Sequence, residues 1–442
     1  MSDTPRLRRE LGLRDMTLFA ISCIVGTRWI ASAARAGPGS VTLFALAAVF
    51  FVVPLAVATG TLSVRYPGTG GFYVWARNDF GAWHGFLSAW IYWFSIAFWF
   101  PSAALFYMSA GLNALGPTGA HLAENRTILV AISLVAIWIP LLTNLVGMKI
   151  GKWTENLGGG AAWLLAGGLA LAAVVAFRHS GSATRLDPVP HASWDTVSFW
   201  ATIAYAMTGL ELAGLMGGEI HQPEHTLPRA GWISSVFITF FYLVATASVL
   251  VLLRPEQVSE INGLSQAAAA AERLSGIPKV GTVLNLLVLA SAMGQFGGLI
   301  ASVSRLPFAV AVDGLLPKAF ARVHPRWQTP HWSILGFGAV ASFLLVVFQL
   351  GDTFEAAYQE LVSLMVIAGF IPYVYMFGGA WKAGKRMSAL SGLAVTALAL
   401  ACSVVPTQAI GNVWVFEGKM AAAVLVVIGL AGIVYRKHQR NT

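Results

Sequence analysis

The 442-residue sequence predicts an all-α membrane protein of twelve transmembrane helices, laid out as two inverted five-helix repeats plus two extra helices. Three observations predict it. The chain is 57% hydrophobic and only 11% charged, with mean hydropathy +0.70, a balance that soluble classes do not show. Apolar runs recur along its whole length, each near the roughly 20 residues that cross about 30 Å of hydrocarbon. Two of those runs are interrupted at their middles by glycine beside a charge. The first reads Ile24-Val25-Gly26-Thr27-Arg28-Trp29-Ile30 and the sixth Met207-Thr208-Gly209-Leu210-Glu211-Leu212.

The first five runs fall near 13–34, 40–66, 82–111, 126–147 and 153–177. The next five lie near 196–218, 229–253, 281–304, 330–350 and 354–379, and the last two near 387–407 and 414–435. Five spans separate the two breaks, and an odd number inverts topology. The chain therefore divides into a tail over 1–12, a first repeat over 13–178, an inverted second repeat over 196–380, a helix pair over 387–435 and a tail over 436–442. No residue-level repeat supports the division; it rests on the breaks. A parallel arrangement of two six-helix halves would need a long central loop, and the segment between spans 6 and 7 is short. Pro54, Pro101, Pro140 and Pro372 fall inside spans, where neighbouring helices can satisfy the freed backbone groups.

Charge asymmetry sets the orientation. With the N-terminus inside, 19 lysines and arginines fall on inner segments and 8 on outer ones, with Arg28 inside a span. The inner set includes Arg6, Arg8, Arg9, Arg77, Lys149, Lys152, Arg305, Lys318, Lys385 and Arg440. This follows the positive-inside rule and puts both termini in the cytoplasm of a multi-pass cell-membrane protein. The formal charge of +9 is then a topology signal, not a nucleic-acid footprint. No cleavable leader is expected before the first span. Cys23 and Cys402 both sit in apolar runs, without disulfide or metal spacing.

An ionisable residue at bilayer depth normally faces a cavity or a partner. A half-helix N-terminus offers free amides to an anion, and a half-helix C-terminus offers carbonyls to a cation. Broken helices at matching positions are thus the sequence pointer to a transporter's substrate site, although glycine in a membrane helix also serves close packing. The expected substrate-binding residues are Gly26, Thr27, Arg28, Tyr205, Thr208, Gly209 and Glu211, with Tyr205 and Glu211 also placed in gating or coupling. Arg28 pairs a substrate carboxylate through a bidentate fork, or else pairs Glu211 across the pseudo-axis as a structural ion pair. Glu211 binds a substrate ammonium, gates the site or carries a proton; the plainer alternatives are that ion pair or a hydrogen bond to unwound backbone. Glu155 is the other carboxylate inside a span, near its cytoplasmic end. Trp90, Tyr92 and Trp93 could line the same cavity, with ordinary packing the commoner role for such aromatics.

The glycine-rich stretch from Arg65 to Phe80 lacks Gly-Lys-Ser/Thr spacing and is no phosphate loop. It is expected to form a short cytoplasmic helix against an inner gate, with Ser304, Arg305 and Asp313 marking the matching loop after span 8.

Several of these motifs resemble the amino acid–polyamine–organocation superfamily. They are Gly26-Thr27-Arg28-Trp29, Arg65-Tyr66-Pro67-Gly68-Thr69-Gly70-Gly71-Phe72-Tyr73-Val74-Trp75, Gly209-Leu210-Glu211, Glu219-Ile220-His221-Gln222-Pro223 with Pro228-Arg229-Ala230, and Ser304-Arg305 through Asp313-Gly314-Leu315-Leu316-Pro317. Within that superfamily the segment from Gly26-Thr27-Arg28-Trp29 through the Arg65 to Trp75 motif resembles the glutamate/GABA antiporter-like branch. The resemblance covers spans 1 to 10. It implies the leucine-transporter-like inverted repeat and proton-coupled uptake or exchange of amino acids or related amines. Such proteins commonly carry a second glycine where Arg28 stands here, and several proton-coupled members carry a lysine midway along span 5. This chain has Asn156-Leu157-Gly158-Gly159-Gly160 there, which offers no lysine-based proton switch.

The expected function is therefore a secondary active amino acid transporter, permease or antiporter, working by alternating access. A polyamine or organic-cation permease of the same fold is the alternative. A membrane enzyme or receptor is a different class, and the sequence shows neither clustered catalytic residues nor sizeable soluble domains. No cofactor is expected, coupling to protons or sodium is left open, and pH-dependent transport would involve Glu211. The partners expected are a small amino acid or amine substrate and the lipid bilayer, with no nucleic acid and no oligomeric state implied.

Overall fold

In a computed structural model the described residues are 9, 11–187, 189–191, 194–349, 354–405 and 412–439. The side chains of 148–152, 194–196, 198, 354–355 and 439 are outside that description. The expectations placed on Arg6, Arg8 and Arg440, and on the side chains of Lys149 and Lys152, therefore lie outside the described residues, as does most of both tails.

The chain folds almost wholly into helices. The first break separates α1 (Leu13–Ile24) from α2 (Arg28–Arg35), which meet at 47°. There follow α3 (Gly39–Arg65), α4 (Phe72–Phe80), α5 (Ala82–Asn113), α6 (Pro117–Glu124), α7 (Arg126–Val146) and α8 (Met148–Ser180). The second break separates α9 (Trp194–Ala206) from α10 (Leu210–Leu215). The rest are α11 (Pro223–Leu252), α12 (Gly263–Ser275), α13 (Val280–Val303), α14 (Arg305–Val312), α15 (His331–Val347), α16 (Phe354–Lys382), α17 (Arg386–Ser403) and α18 (Val413–Gln439). Local chemistry explains several features. Asn125 caps α7, its side-chain oxygen accepting the Ile128 amide at 3.1 Å. In α3 the helix widens to π geometry over Ala48–Val52 just before Pro54, which has no amide to donate.

Among the described residues nine helices are long and apolar enough to cross a membrane, ten if the bent α1–α2 pair is one span. The two remaining sequence candidates are α15, at 17 residues, and the α9–α10 pair. Length and composition thus support ten spans, and twelve is consistent with the helices present. Helix α5 is the centre of the bundle, with 83% of its apolar window buried, whereas α18 keeps 22% and lies at the periphery.

Both ends of the described chain meet at one end of the bundle. The Leu11 amide donates to Glu219 at 3.1 Å and the Leu11 carbonyl accepts from His221 at 2.8 Å. Thr69 bridges Met216, and Tyr435 packs on Trp83 at 5.1 Å. The glycine-rich stretch forms α4 at this same end, as the sequence suggested.

Helices α8 and α13 touch backbone to backbone. A Cβ on Gly158 would lie 2.2 Å from the Gly294 nitrogen, and one on Gly294 would lie 2.9 Å from Gly158 Cα. Small residues permit such contact, and extra volume against backbone cannot be relieved by a rotamer change. We expect Gly294→Ala to cost about 1–3 kcal/mol and lower the melting temperature in detergent. Gly160→Ala, at a site with open space, should melt like the parent. Equal melting of both variants would mean that the two backbones separate freely.

Candidate functional site

The two breaks meet at mid-bundle. At the first, α1 ends at Ile24 and α2 restarts at Arg28; the Gly26 amide turns back onto the Ile24 carbonyl at 2.7 Å, and Tyr242 on α11 donates to that carbonyl at 2.8 Å and accepts the same amide at 2.9 Å. The Gly26 amide, expected to be free, is therefore engaged by the protein. Thr27 Oγ1 lies 3.3 Å from Ser291 Oγ and 3.5 Å from the Tyr107 hydroxyl, which itself donates to Gln295 at 2.6 Å.

At the second break Gly209 has φ +120°, a conformation that a side chain would strain. A Cβ there would also lie 2.6 Å from Ile24 Cγ1, so the breaks touch. The Glu211 carboxylate caps its own half-helix: Oε2 accepts the Gly209 amide at 3.0 Å and Oε1 accepts the Tyr92 hydroxyl at 2.7 Å. This is the bond to unwound backbone that the sequence offered as one of the plainer alternatives.

The ion pair between Arg28 and Glu211, offered by the sequence as one alternative, is absent. Arg28 turns the other way, toward α5 and α16, because α2 carries it to the opposite side of the break. Its Nη1 donates to Ser102 at 2.7 Å and its Nη2 contacts Met365 Sδ at 3.4 Å. The guanidinium lies 3.9 Å over the Trp29 ring and 5.5 Å from that of Trp99. Arg28 is 1% exposed, its Nε has no hydrogen-bond partner, and among the described residues no carboxylate pairs with it. A desolvated guanidinium with no carboxylate in contact costs several kcal/mol, which the two indoles and the more distant charge of Glu260 offset in part.

A cavity of about 30 Å³ lies between the breaks, lined among others by Trp29, Tyr92, Tyr205, Thr208, Gly209 and Gln295. It has room for water but not for an amino acid. Trp29 and Trp99 line it and also face Arg28, so the cation lies one ring's thickness behind the wall. Tyr205 closes the cavity with Trp29, the rings 5.9 Å apart edge to face, and its hydroxyl meets Ser95 at 3.1 Å. The structure thus brings Tyr205, Thr208 and Gly209 to one cavity with Tyr92. It puts Gly26 and Thr27 against α13 and Arg28 behind the indoles. Trp90 and Trp93 point elsewhere, Trp90 Nε1 donating to Val427 at 3.0 Å and Trp93 packing on Phe337.

At the end of the bundle that holds the chain termini a second cavity, of about 770 Å³, is lined by Arg9, Thr69, Tyr73, Arg77, Phe308 and Asp313 among others. Tyr73 donates to Asp313 at 2.5 Å, and Arg77 forms an ion pair with the same carboxylate. Burial, then the bond to Asp313, pushes the Tyr73 phenol well above its usual range, so it stays a donor. Arg305 is not a loop charge. It is 2% exposed and grips Glu219 with both arms of its fork, Nε at 2.8 Å and Nη2 at 3.0 Å.

A model of the amino acid permease family matches residues 11–435. An uncharacterized transporter of Legionella pneumophila is 24% identical over 98% of both chains. The serine/threonine exchanger SteT of Bacillus subtilis is 24% identical over 86% of this chain and 84% of its own. The aromatic amino acid transport protein AroP of Escherichia coli is 26% identical over 82% of this chain and 79% of its own. Among solved structures, MhsT in complex with L-phenylalanine superposes with TM-score 0.61 at 13% identity, over 93% of this chain and 99% of that one. That likeness shows the fold, the leucine-transporter-like architecture expected above.

Proposed function

The chain belongs to the amino acid permease family, and from that premise we propose that it is a secondary active transporter that moves amino acids across the cell membrane by alternating access. It is an amino acid transporter and a multi-pass membrane protein, not an enzyme; the finer reading concerns where and how substrate binds. Substrate enters between the two breaks, its carboxylate reaching Arg28 once Trp29 and Trp99 part, its ammonium facing the Glu211–Tyr92 side. Both termini face the cytoplasm.

The observation that carries this reading is the buried guanidinium that no carboxylate touches among the described residues. A permanent cation with no carboxylate in contact attracts an anionic group and repels a purely cationic one. That favours amino acids over polyamines or organic cations, and the exchange and transport of amino acids by SteT and AroP point the same way.

The test is radiolabelled uptake by the purified chain in proteoliposomes, across amino acids and their decarboxylated amines at two pH values. At least one α-amino acid should show saturable uptake, and the matching amine should show far less. An amine carried as fast as its amino acid would overturn the Arg28 assignment. No flux of any amino acid would overturn the transport reading.

A further inference from the structure

We propose that Glu155 is a proton-binding site whose occupancy controls how tightly α1 packs against α8 and α13, an inference that rests on the transport reading above. Four glutamates are buried among the described residues. Glu211 has hydrogen bonds to both oxygens, Glu219 has Arg305, and Glu360 has Lys419 at 2.8 Å. Glu155, 4% exposed on α8, has neither an ion pair nor a hydrogen bond to its Oε1 among those residues.

Its surroundings are a junction of three helices. From α1, Ser22 Oγ donates to the Glu155 carbonyl at 3.0 Å. From α13, Gly297 faces the side chain; a Cβ there would lie 3.6 Å from Glu155 Cγ. From α7, Asn144 is near but commits its amide to the Gly297 carbonyl at 3.2 Å and the Pro140 carbonyl at 3.0 Å. The titratable and charged groups acting on Glu155 are few. Cys23 is a buried thiol on α1, and Arg305 on α14 is already held by Glu219. Helices α13 and α7 present glycine and amide groups, and α11 meets α8 through aromatic rings around Trp163, more than two turns further on. The side chains of Lys149 and Lys152 are not described.

An ionised carboxylate with an orphaned oxygen at this depth carries an uncompensated desolvation cost, whereas the protonated acid needs no counter-ion. The packed junction therefore suits the protonated acid. Ionisation favours a form in which water reaches the carboxylate. Gly158 and Gly294 hold α8 and α13 in backbone contact, whereas α1 meets α13 there through side chains, Ser22 at Gly294 and Cys23 at Gly298, so α1 is the wall that can move. The proton binds from the side of substrate entry and leaves when α1 swings away on the other side, with no further reactant. Glu211, with both oxygens engaged, serves the half-helix instead.

The test uses the two native cysteines of the full chain in proteoliposomes, without any substrate. Labelling of Cys23 by a small membrane-permeant thiol reagent is measured relative to Cys402 by peptide mass spectrometry from pH 5 to 8. In the wild type the ratio should rise about tenfold with pH, as opening linked to loss of one proton requires. Glu155→Gln should hold the ratio low and flat, and Glu155→Asp, which keeps the acid, should keep the rise. A flat wild-type profile, or a Glu155→Gln profile that rises with the wild type, overturns the proposal; if the Gln variant does not fold, a flat Asp profile does so. A second arm measures uptake of a radiolabelled L-amino acid mixture with outer pH 5.5 or 7.5 against inner pH 7.5. Acid outside should stimulate the wild type several-fold and leave Glu155→Gln unstimulated; stimulation of both equally also overturns it. If the wild type takes up no amino acid at any pH, the transport reading fails, while the labelling ratio still decides the case of Glu155.

Discussion

Arg28→Ala should weaken α-amino acid binding by about 30- to 1000-fold, the equivalent of about 2–4 kcal/mol lost with one partner of a buried charge pair. The variant leaves Ser102 Oγ without its donor from Arg28 but breaks no contact ion pair, because no carboxylate touches Arg28 among the described residues. The loss should therefore appear in ligand affinity more than in folding. Arg28→Lys should recover little, since a point charge lacks the planar fork and stacks less well on Trp29. Binding to detergent-purified protein by calorimetry checks this, with the decarboxylated amine as the control. If amine and amino acid lose affinity alike, or if only the folded yield falls, the guanidinium is a packing element and the carboxylate binds elsewhere.

The second large effect concerns Glu219 and Arg305. Removing either partner leaves a charge buried without its mate, at about 3–5 kcal/mol. Glu219→Ala and Arg305→Ala should each sharply reduce folded yield and melting temperature. The double replacement Glu219→Met with Arg305→Met should recover most of the loss, because well-packed apolar pairs often equal a buried ion pair. Single variants that melt like the parent would show that this end of the bundle opens and admits water to the charges. The pair ties the loop after α10 to the start of α14, so the double variant should also loosen that end.

Both breaks were legible in the sequence because glycine beside a charge has few other uses in a long apolar run. The inverted layout followed from their spacing, and α4 from the glycine-rich motif. Partners supplied by distant helices were not legible. Tyr242 lies more than 200 residues from the break it bridges, and nothing in Phe241-Tyr242-Leu243 marks it apart from neighbouring core aromatics. Gln295 was hidden in the same way, though its span carries two amides, Asn285 and Gln295, a signal at bilayer depth that could have been read. The Arg28–Glu211 pair, the alternative to a substrate role for Arg28, failed for a geometric reason: consecutive turns around a break point in directions that linear spacing does not encode. Arg305 was counted as a loop charge because it stands just beyond an apolar run, and its burial depends on a glutamate 86 residues away.

Tyr242 carries a further consequence. The Gly26 amide and the Ile24 carbonyl already meet directly at 2.7 Å in the tight turn that ends α1. One phenolic oxygen adds a second tie, giving its proton to Ile24 and taking one from Gly26. A hydroxyl turns about its C–O bond and accepts from a broad range of directions. The phenol therefore acts as a standby partner: if that turn opens as α1 changes its pitch, the hydroxyl still serves both main-chain groups, and the bend need not strand a polar atom in a water-free interior.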